Sequence, residues 1–540
     1  MTLDANMTDH NYIDNIVIVG GGTAGWLSAC HLAKNQPHCN ITVIESPNIP
    51  TIGVGEGSVP SVAESLKALG ISETDLIREA YASHKQSVEF INWKSTTQND
   101  SKALHRYHHI FEKPACDLDE LIEYWKHSGT NSSFVDVISA QGAICDNNLA
   151  PKVITMPEYK GVSGYAFHFD ALRLAKLLKD HACKTFNVKH IEAELVDVTL
   201  CSDGNIGELR LDTGEGVSAD LFVDCTGFKS LLLGKALCTK FIDKQDVLFT
   251  DSALTTQIHY KGHHPEEHRQ SSSPYVNNNV TVASSTKATA QDAGWIWDIA
   301  LSNRRGVGYV FSSKHTTAEK VETQLRDYLA NDAIDDLTFR QVDFKVGYRE
   351  LAWSKNCVGI GLSQGFVEPL EATGIMMIDD VAKALAAIIP RHKSSMPAAA
   401  RKLNQIVSHQ WASIIDFIKI HYVLSDRSES FWCDNRSQSS IPETLADRLS
   451  LWHSRLPSDY DFTSRHDVFY RINYLYILLG MDCLPNAKIN NKMKVIKKMD
   501  CENTLNYIQH VRLNKEKLLH VLPSNTELLY KIKLFGLQSV

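Results

Sequence analysis

Apolar residues follow two different spacings along the chain, and the alternation between them predicts a repeated strand–helix order. Residues 15–20, 220–225 and 356–361 are short apolar runs of the length typical of buried parallel strands. Residues 26–34 have helical spacing, and residues 41–45 form another short apolar run. The strand–helix–strand order at the start of the chain predicts a βαβ unit.

The rest of the chain adds a second sheet and a helical end. Alternating polar and apolar residues between about 245 and 350 predict a mixed sheet inserted into the first α/β unit. From about residue 400 onward glycine is sparse and the spacing is helical, as in residues 402–422 and 504–522. We therefore expect a discontinuous core formed by residues 1–400, which contains the inserted sheet, and a helical region formed by residues 401–540.

Composition limits the classes of partner. The 540 residues are 43% hydrophobic, enough for a large core, and the net charge of -8 without a basic stripe argues against nucleic acid. No apolar run is long enough to cross a bilayer and the first residues are polar, so we expect no membrane partner and a cytoplasmic location. The 12 cysteines occur singly, as reduced thiols do. The histidine-rich residues 263–268 lack helical spacing and contain Pro265, so we predict a solvated turn and no metal.

A glycine-rich loop follows the first strand directly and precedes the first helix. The residues of this G-x-G-x-x-G pattern are Gly20, Gly22, Thr23, Ala24 and Gly25. Its glycines would permit a tight turn, close approach of the backbone to a pyrophosphate, and close helix–strand packing. Glu45 ends the second strand about 20 residues later, where an acid binds a ribose hydroxyl. The loop alone could be structural, but strand, loop, helix and acid together predict dinucleotide binding.

Two further features favour FAD over other dinucleotides. An acid rather than an arginine at Glu45 argues against a 2′-phosphate, so FAD or NAD is favoured over NADP. Residues 223–228 resemble the segment with which FAD enzymes close the second side of the flavin site. The expected fold class is therefore α/β: a Rossmann-type FAD-binding domain with an inserted mixed sheet and a helical C-terminal region on the substrate side.

Several separate motifs carry a more specific resemblance. They are Trp26 after the glycine loop, residues 51–61 with Glu56 inside, Lys85 followed by Asn92-Trp93, residues 165–171, Asp224-Cys-Thr-Gly-Phe228, Trp295 and Trp297 in residues 294–299, and Glu371 in residues 366–375. In this order, over residues 13–480, they resemble the flavin-dependent tryptophan halogenase family.

The resemblance implies a reaction and residues for it. Reduced FAD and oxygen would give a flavin hydroperoxide, halide would capture its distal oxygen as hypohalous acid, and an electron-rich, indole-type ring would be halogenated. Lys85 would hold the halogen, and Glu371 would stabilise the cationic ring and accept its proton. Thr373 and Gly374 would bind chloride or bromide through free N–H groups at the start of a helix that ends near Ile389. Without the resemblance, Lys85 would be a surface lysine and Gly374 a turn residue.

The resemblance also assigns the remaining contacts. Besides the loop and Glu45, the cofactor contacts are Glu56, Val196, Leu362 and Ile375. The substrate-pocket residues are His109, Phe111, Trp295, Trp297, Phe431, Trp432, Phe469 and Tyr474. A separate flavin reductase would supply reduced FAD. Whether the chain forms a homodimer is an open question at this point. His168 and Asp170 have an ordinary structural interpretation, with Asp170 as the N-cap of a helix over residues 171–182.

The chain departs from the family at a few positions. Ala300 stands where the W-x-W-x-I-P signature has proline, and Ala372 where many members have serine. Members that act on free tryptophan carry a Phe-Trp pair, a Tyr-Tyr pair and an acid in the region like residues 467–480, whereas here no such acid is evident. We therefore expect an indole or similar arene rather than free tryptophan. Glu368 is the rival of Glu371 and is expected to be structural.

Two other functions stay open. The first is a flavin-dependent aromatic monooxygenase, a hydroxylase that reduces its own flavin with NAD(P)H; Lys85 and the paired tryptophans argue against it. The second is a non-catalytic flavoprotein that binds aromatics or a partner, against which the presence of Lys85 and Glu371 argues only weakly. Residues 484–540 have no assigned role beyond a helical, lysine-containing tail.

Overall fold

The computed structural model describes residues 11–48, 55–95, 104–128, 132–260, 280–330, 337–483 and 501–539. The turn predicted at residues 263–268 lies outside the described residues, as do residues 51–54 of the motif that contains Glu56 and residues 484–500 of the tail.

The first strand lies inside a six-stranded sheet. From edge to edge the strands are Trp353–Ser354, Cys357–Gly359, Leu221–Asp224, Asn15–Val19, Asn40–Glu45 and Lys189–Glu192. All neighbours pair in parallel except Trp353–Ser354, which is antiparallel. The four strands predicted from apolar runs are thus confirmed to within two residues. Because parallel strands end at one edge, the glycine loop and residues 225–228 come together there.

A seven-stranded sheet lies beside it. Its order is Arg340–Asp343, Ser252–His259, Arg304–Phe311, Gly294–Ala300, Ser285–Gln291, Ser87–Ile91 and Arg106–Ile110. The inserted mixed sheet is confirmed, but two of its strands come from residues 87–110, well before the predicted range. Ser87–Ile91 joins in parallel to Ser285–Gln291. Sequence spacing marks a strand but not its partner, because pairing depends on distant residues.

Three small sheets complete the strands. They are Gly55–Gly57, Ala166–Asp170 and Ser83–Lys85; Gly216–Val217, Ile206–Leu211 and Leu195–Leu200; and Phe241–Asp243, Gly347–Arg349 and Gly365–Phe366. Lys85 ends the strand Ser83–Lys85, and after Gln86 the chain enters Ser87–Ile91 of the seven-stranded sheet. Lys85 therefore lies at the junction of two sheets.

The helices cover the sheets and form the C-terminal part. Their bounds are Thr23–Asn35, Pro60–Leu69, Glu73–Glu79, Leu118–His127, Phe134–Ile138, Gln141–Asp146, Ala171–Phe186, Ala318–Leu329, Thr373–Ile388, Met396–Val423, Ser430–Asn435, Glu443–Ser454, Arg471–Gly480, Cys501–Val521 and Asn525–Phe535. Thr23–Asn35 packs between Ala171–Phe186 and Thr373–Ile388. The side chain of Asp170 accepts a hydrogen bond from the backbone N–H of Arg173, as an N-cap does. Among the described residues, none of the helices has the length and apolarity that crossing a bilayer requires.

The C-terminal helices pack onto the rest of the chain. The boundary expected at residue 400 falls inside the helix Met396–Val423, and apolar residues on both sides of it share one core. The last helix, Asn525–Phe535, packs on Glu73–Glu79 and on the strand that carries Lys85. Asn525 Oδ1 lies 3.2 Å from His84 Nδ1 on that strand. The C-terminal helix thus packs against the strand that places Lys85 at the junction of the two sheets.

Candidate active site

The three glycines of the loop meet three different structural demands. Gly20 has φ of +119°, and a Cβ there would overlap the backbone of Cys225. A Cβ at Gly25 would overlap the Gly20 carbonyl oxygen, so Gly25 permits the helix to approach the strand. A Cβ at Gly22 would meet no atom within 4 Å. The free space beside Gly22 is where a pyrophosphate could approach the N-terminus of the helix Thr23–Asn35.

Glu45 is held beside this loop by two basic side chains. Its Oε2 lies 3.0 Å from Lys179 Nζ and 3.0 Å from His190 Nε2. A Cβ at Gly21 would overlap the Glu45 carboxyl group, which shows how closely the two approach. The carboxylate is thus fixed next to the predicted pyrophosphate position, as a ribose-binding acid would be.

One cavity of about 830 Å³ runs from the glycine loop to Lys85 and Glu371. The predicted residues on its wall are Gly20, Gly22, Thr23, Ala24, Glu45, Glu56, Lys85, Trp295, Trp297, Leu362, Glu371, Thr373, Gly374 and Ile375. Gly25 lies behind the loop. Val196 is not on the wall: its side chain is 57% exposed, and Leu195 lines the cavity instead. Since neighbouring residues of a strand point to opposite faces, only one of this pair can face inward.

The cavity fits a large dinucleotide. Its volume lies in the range of about 300–1,000 Å³ common for ligand sites, and its wall is mostly apolar with a few polar groups. The loop end offers a helix N-terminus without a side-chain cap, where backbone N–H groups can bind phosphate. The residues present therefore fit FAD.

Lys85 is fully buried, which excludes the interpretation as a surface lysine. Its Nζ donates a hydrogen bond of 3.0 Å to the Ser58 carbonyl and lies 5.4 Å from the centre of the Phe111 ring. Burial lowers the pKa of Lys85 to about 8, although the charge of Glu371 acts in the opposite direction. Both the ammonium and the free amine are thus accessible near neutral pH, the first as a donor and the second as a nucleophile.

The partner of Lys85 is itself held firmly. Ser58 donates from its backbone N–H and its hydroxyl to the Phe167 carbonyl and accepts from the Phe167 N–H. His168 is buried against Thr286, with 2.7 Å between Nε2 and Oγ1. Burial, with repulsion from Lys85, holds the pKa of His168 well below its usual value, so this ring is neutral. His168 therefore adds no positive charge beside Lys85.

Glu371 has an unusual backbone. It has φ of 66° and the next residue, Ala372, has φ of 57°, so two consecutive residues with side chains are left-handed. Such conformations cost about 1–3 kcal/mol each and persist at functional sites. The turn delivers the Glu371 carboxylate to the cavity wall immediately before the helix Thr373–Ile388 begins.

Two histidines hold the Glu371 carboxylate. Its Oε1 lies 2.8 Å from His109 Nδ1 and 3.3 Å from His421 Nε2. Burial by itself would raise the pKa of Glu371, but its contacts with the two histidines lower it to about 2. These histidines are the ion-pair partners of Glu371 among the described residues, and Lys85 is not one of them. The two candidate catalytic groups share a cavity without pairing.

The N-terminus of the helix Thr373–Ile388, which follows Glu371, borders open space in the cavity. Its N-cap, Ala372, makes no side-chain cap, and Thr373 and Gly374 both line the cavity. The left-handed turn is made by Glu371 and Ala372, whereas Gly374 lies inside the helix and a Cβ there would meet no atom within 4 Å. Gly374 is therefore not required by the turn. The uncapped N–H groups and the open space suit a small anion.

Trp295 and Trp297 form part of the cavity wall. Residues 295, 297 and 299 alternate along the strand Gly294–Ala300 and all line the cavity. The two indole rings are T-shaped, 6.3 Å between centroids. They are buried as core aromatics are, and they also face the cavity.

The other predicted pocket residues lie behind this wall. Phe431 and Trp432 are fully buried in an aromatic cluster, and Trp432 donates to the Gln291 carbonyl. Phe469 stacks on Phe417 with 3.7 Å between centroids. They are not among the residues that line this cavity, and their assignment to the substrate pocket stays a prediction. Large aromatic side chains bury more surface against one another than against an open cavity.

Tyr474, Phe111 and His109 are the remaining residues predicted for the substrate pocket. Tyr474 is also buried away from the cavity, and its hydroxyl accepts from Arg448 at 3.1 Å. Phe111 is half-buried at the end of the strand Arg106–Ile110 and reaches Lys85. His109 contacts Glu371 rather than the cavity itself.

The two remaining acids differ in position. Desolvation, with repulsion from Asp170, raises the pKa of Glu56 to about 7 on the cavity wall. Burial raises the pKa of Glu368 to about 7 as well, but Glu368 lies off the wall and accepts from Thr250 and, at 2.6 Å, from the Tyr422 hydroxyl. Its contacts fit the structural role expected for it.

Sequence reasoning missed residues that act through others. The sequence patterns assign no role to His421, which contacts Glu371, or to Asn473, which donates to His109. A buried histidine on a helix is an ordinary core feature until its carboxylate partner is known. No signal in the sequence joins these positions to Glu371.

Comparison with known proteins identifies the relatives of this chain. The family model described as tryptophan halogenase matches residues 15–495. Tryptophan 7-halogenase RebH of Lentzea aerocolonigenes is 31% identical, with 88% of this chain and 91% of that protein covered. Tryptophan 6-halogenase ThaL of Streptomyces albogriseolus is 33% identical, with 83% of each covered. The crystal structure of tryptophan halogenase from Shewanella frigidimarina superimposes with a TM-score of 0.88 at 35% identity, covering 98% of this chain and 99% of that one.

Proposed function

The chain belongs to the tryptophan halogenase family and is a flavin-dependent halogenase of an indole-type ring. From this premise we propose which residues of its cavity bind FAD, which bind halide and which carry out the halogen transfer. The glycine loop and Glu45 bind FAD at one end. Thr373 and Gly374 bind chloride or bromide at the other end, where Lys85 and Glu371 carry out the transfer. The continuity of this single cavity from loop to lysine is the observation that supports the proposal.

The cofactor and halide would meet inside the cavity. Reduced FAD, supplied by a separate reductase, provides with oxygen the oxidising power that turns halide into hypohalous acid. The N–H groups of Thr373 and Gly374 hold the halide at the helix N-terminus. Trp295 and Trp297 form part of the cavity wall between these two ends.

Lys85 restrains the hypohalous acid and presents it to the substrate. As an ammonium it donates a hydrogen bond to the oxygen of the acid; as a free amine it takes the halogen and water leaves. The Ser58 carbonyl fixes the position of Nζ in either case. A pKa of about 8 makes both forms available near neutral pH.

Glu371 completes the substitution. The ring becomes a cation when the halogen is added, and a carboxylate that is ionised and buried stabilises that charge strongly. The cation then loses its ring proton to Glu371. Because such a ring cation is a strong acid, a carboxylate with a pKa of about 2 is basic enough.

The natural substrate is an indole or similar arene without a free amino-acid group. Asp467, at the start of residues 467–480, already pairs with His409 at 2.8 Å and accepts from the Ser464 N–H, so its carboxylate is not free to bind an ammonium. Asp416 likewise pairs with Arg448. An ammonium would have to displace one of these partners.

A product assay tests the proposal. The enzyme receives FAD, a flavin reductase, NADH, oxygen and either bromide or chloride, with a panel of indoles and free tryptophan. We expect mono-halogenated indoles by mass spectrometry, and about 10²–10⁴-fold less product from Glu371→Gln. Lys85→Ala should give none.

The control is Lys67→Ala, an exposed lysine on the helix Pro60–Leu69, which should match the wild type. Hydroxylated product that forms without halide would overturn the proposal in favour of a monooxygenase. Faster turnover of free tryptophan than of indole would overturn the substrate assignment alone.

A further inference from the structure

His421 is a fully buried histidine whose two ring nitrogens both contact acceptors. Its Nδ1 lies 2.8 Å from the carbonyl oxygen of Phe417, one turn earlier in the same helix. A carbonyl oxygen can only accept, so Nδ1 carries the hydrogen of that bond. In a neutral ring this would leave Nε2 without a hydrogen.

The other nitrogen, Nε2, faces the Glu371 carboxylate at 3.3 Å. A carboxylate can also only accept, and two acceptors at that distance would repel in a buried site. A proton must therefore lie between His421 and Glu371. The hydrogen-bond geometry alone requires this, whichever of the two atoms carries the proton.

The second histidine of the pair is in a different state. The backbone N–H of Tyr470 donates to Asn473 Oδ1 at 2.8 Å, so the amide nitrogen of Asn473 is the atom 3.0 Å from His109 Nε2. His109 Nε2 accepts this bond, and Nδ1 consequently donates to Glu371 at 2.8 Å. As a neutral ring, His109 thus has a hydrogen-bond partner for each of its two nitrogens. The extra proton therefore lies between His421 and Glu371.

The surroundings of His421 favour a positive ring. Phe90 stacks on it with 4.8 Å between centroids, and Phe417 and Trp93 present their rings at 5.2 Å and 5.9 Å. The stacked Phe90 ring stabilises a desolvated cation. The other titratable groups around Glu371 are Lys85, His109 and Tyr107.

We propose that His421 is a positioning residue that carries a positive charge and holds Glu371 ionised and aimed into the cavity, while Asn473 sets His109 as a neutral donor. The inference rests on the proposed role of Glu371. These three residues, His421, His109 and Asn473, form a clamp. The clamp allows the buried Glu371 carboxylate to keep its charge without pairing with Lys85. Lys85 then stays free to hold the halogen.

A spectroscopic measurement tests the protonation states directly. The full-length protein is labelled with heavy nitrogen in histidine only, and ring signals are assigned by their loss in His421→Gln and His109→Gln. We expect His421 to show two protonated ring nitrogens at neutral pH, and His109 to show a proton on Nδ1 only. Asn473→Ala should leave the first pattern and alter the second. A bare ring nitrogen on His421 at neutral pH overturns the proposal.

Kinetics tests the consequence. His421→Gln replaces the charge with a neutral amide donor, and we expect kcat to fall about 10- to 100-fold with the Kd for FAD and the KM for halide unchanged. His421→Phe should fall further, and the glutamine variant should therefore restore part of the rate. A full kcat in His421→Gln would overturn the proposal.

The matched control is His31, another buried histidine, 2.7 Å from the Asp379 carboxylate. His31→Gln makes the same change in a comparable buried pair that does not line the cavity, and it should change the unfolding midpoint but not kcat. If wild-type protein gives no halogenated product, the proposed function fails while the histidine signals still report on the clamp. The two failures are therefore distinguishable.

Discussion

Replacing Lys85 with methionine tests the buried lysine by linkage between stability and pH. Methionine has a similar length and does not titrate, so Lys85→Met removes the ionisable group. The pKa of Lys85 is about 8 in the folded protein against an ordinary 10.5. Between these values the unfolded chain binds more protons than the folded one, so wild-type stability rises with pH. The destabilisation by the charged lysine is complete below the folded pKa and disappears above the ordinary one.

The magnitude follows from the size of this shift. One pKa unit corresponds to about 1.36 kcal/mol, so the unfavourable burial amounts to about 3 kcal/mol at pH 7 and about 1.4 kcal/mol at pH 9.5. The difference in unfolding free energy, Lys85→Met minus wild type, should therefore fall by about 2 kcal/mol between these pH values. Loss of the hydrogen bond to Ser58 adds a constant that does not change with pH.

The measurement is denaturant unfolding of the protein without FAD at both pH values. Lys67→Met, an exposed lysine, is the matched control and should give the same difference from wild type at both. A difference for Lys85→Met that stays constant over this range would refute the reasoning, because it would mean that the lysine is not desolvated.

Four substitutions test the cofactor and halide ends. Gly25→Ala should destabilise the protein by about 1–3 kcal/mol in denaturant unfolding, because its Cβ would overlap a neighbouring carbonyl; unchanged stability would contradict the packing. Gly22→Ala should keep the stability but weaken FAD binding about tenfold or more in a fluorescence titration, since its Cβ enters the space of the pyrophosphate. Gly374→Ala should raise the KM for halide about tenfold or more while stabilising the helix by up to about 1 kcal/mol; an unchanged KM would remove the halide from this position. Glu45→Gln should weaken FAD binding about tenfold through loss of a charged hydrogen bond, and equal affinity would place the ribose elsewhere.

Much of the fold and of the candidate site could be predicted from local sequence patterns. A run of apolar residues, three glycines and an acid at a set spacing are consequences of backbone geometry over fewer than 40 residues, so the strand, loop and helix from Asn15 to Glu45 could be predicted without tertiary information. The motifs around Lys85 and Glu371 are equally local. Their resemblance to one family was therefore visible in the sequence and was confirmed by the family match.

Only the tertiary structure decided what these residues touch. His109 and Glu371 are 262 residues apart in the chain, and the burial of Lys85 depends on a junction between two sheets. Aromatic residues such as Phe431 and Phe469 could be assigned to a pocket by motif, yet they pack against other rings behind the wall. Desolvation, proton placement and the line between wall and core depend on which distant groups surround a side chain, and that is settled only when the chain folds.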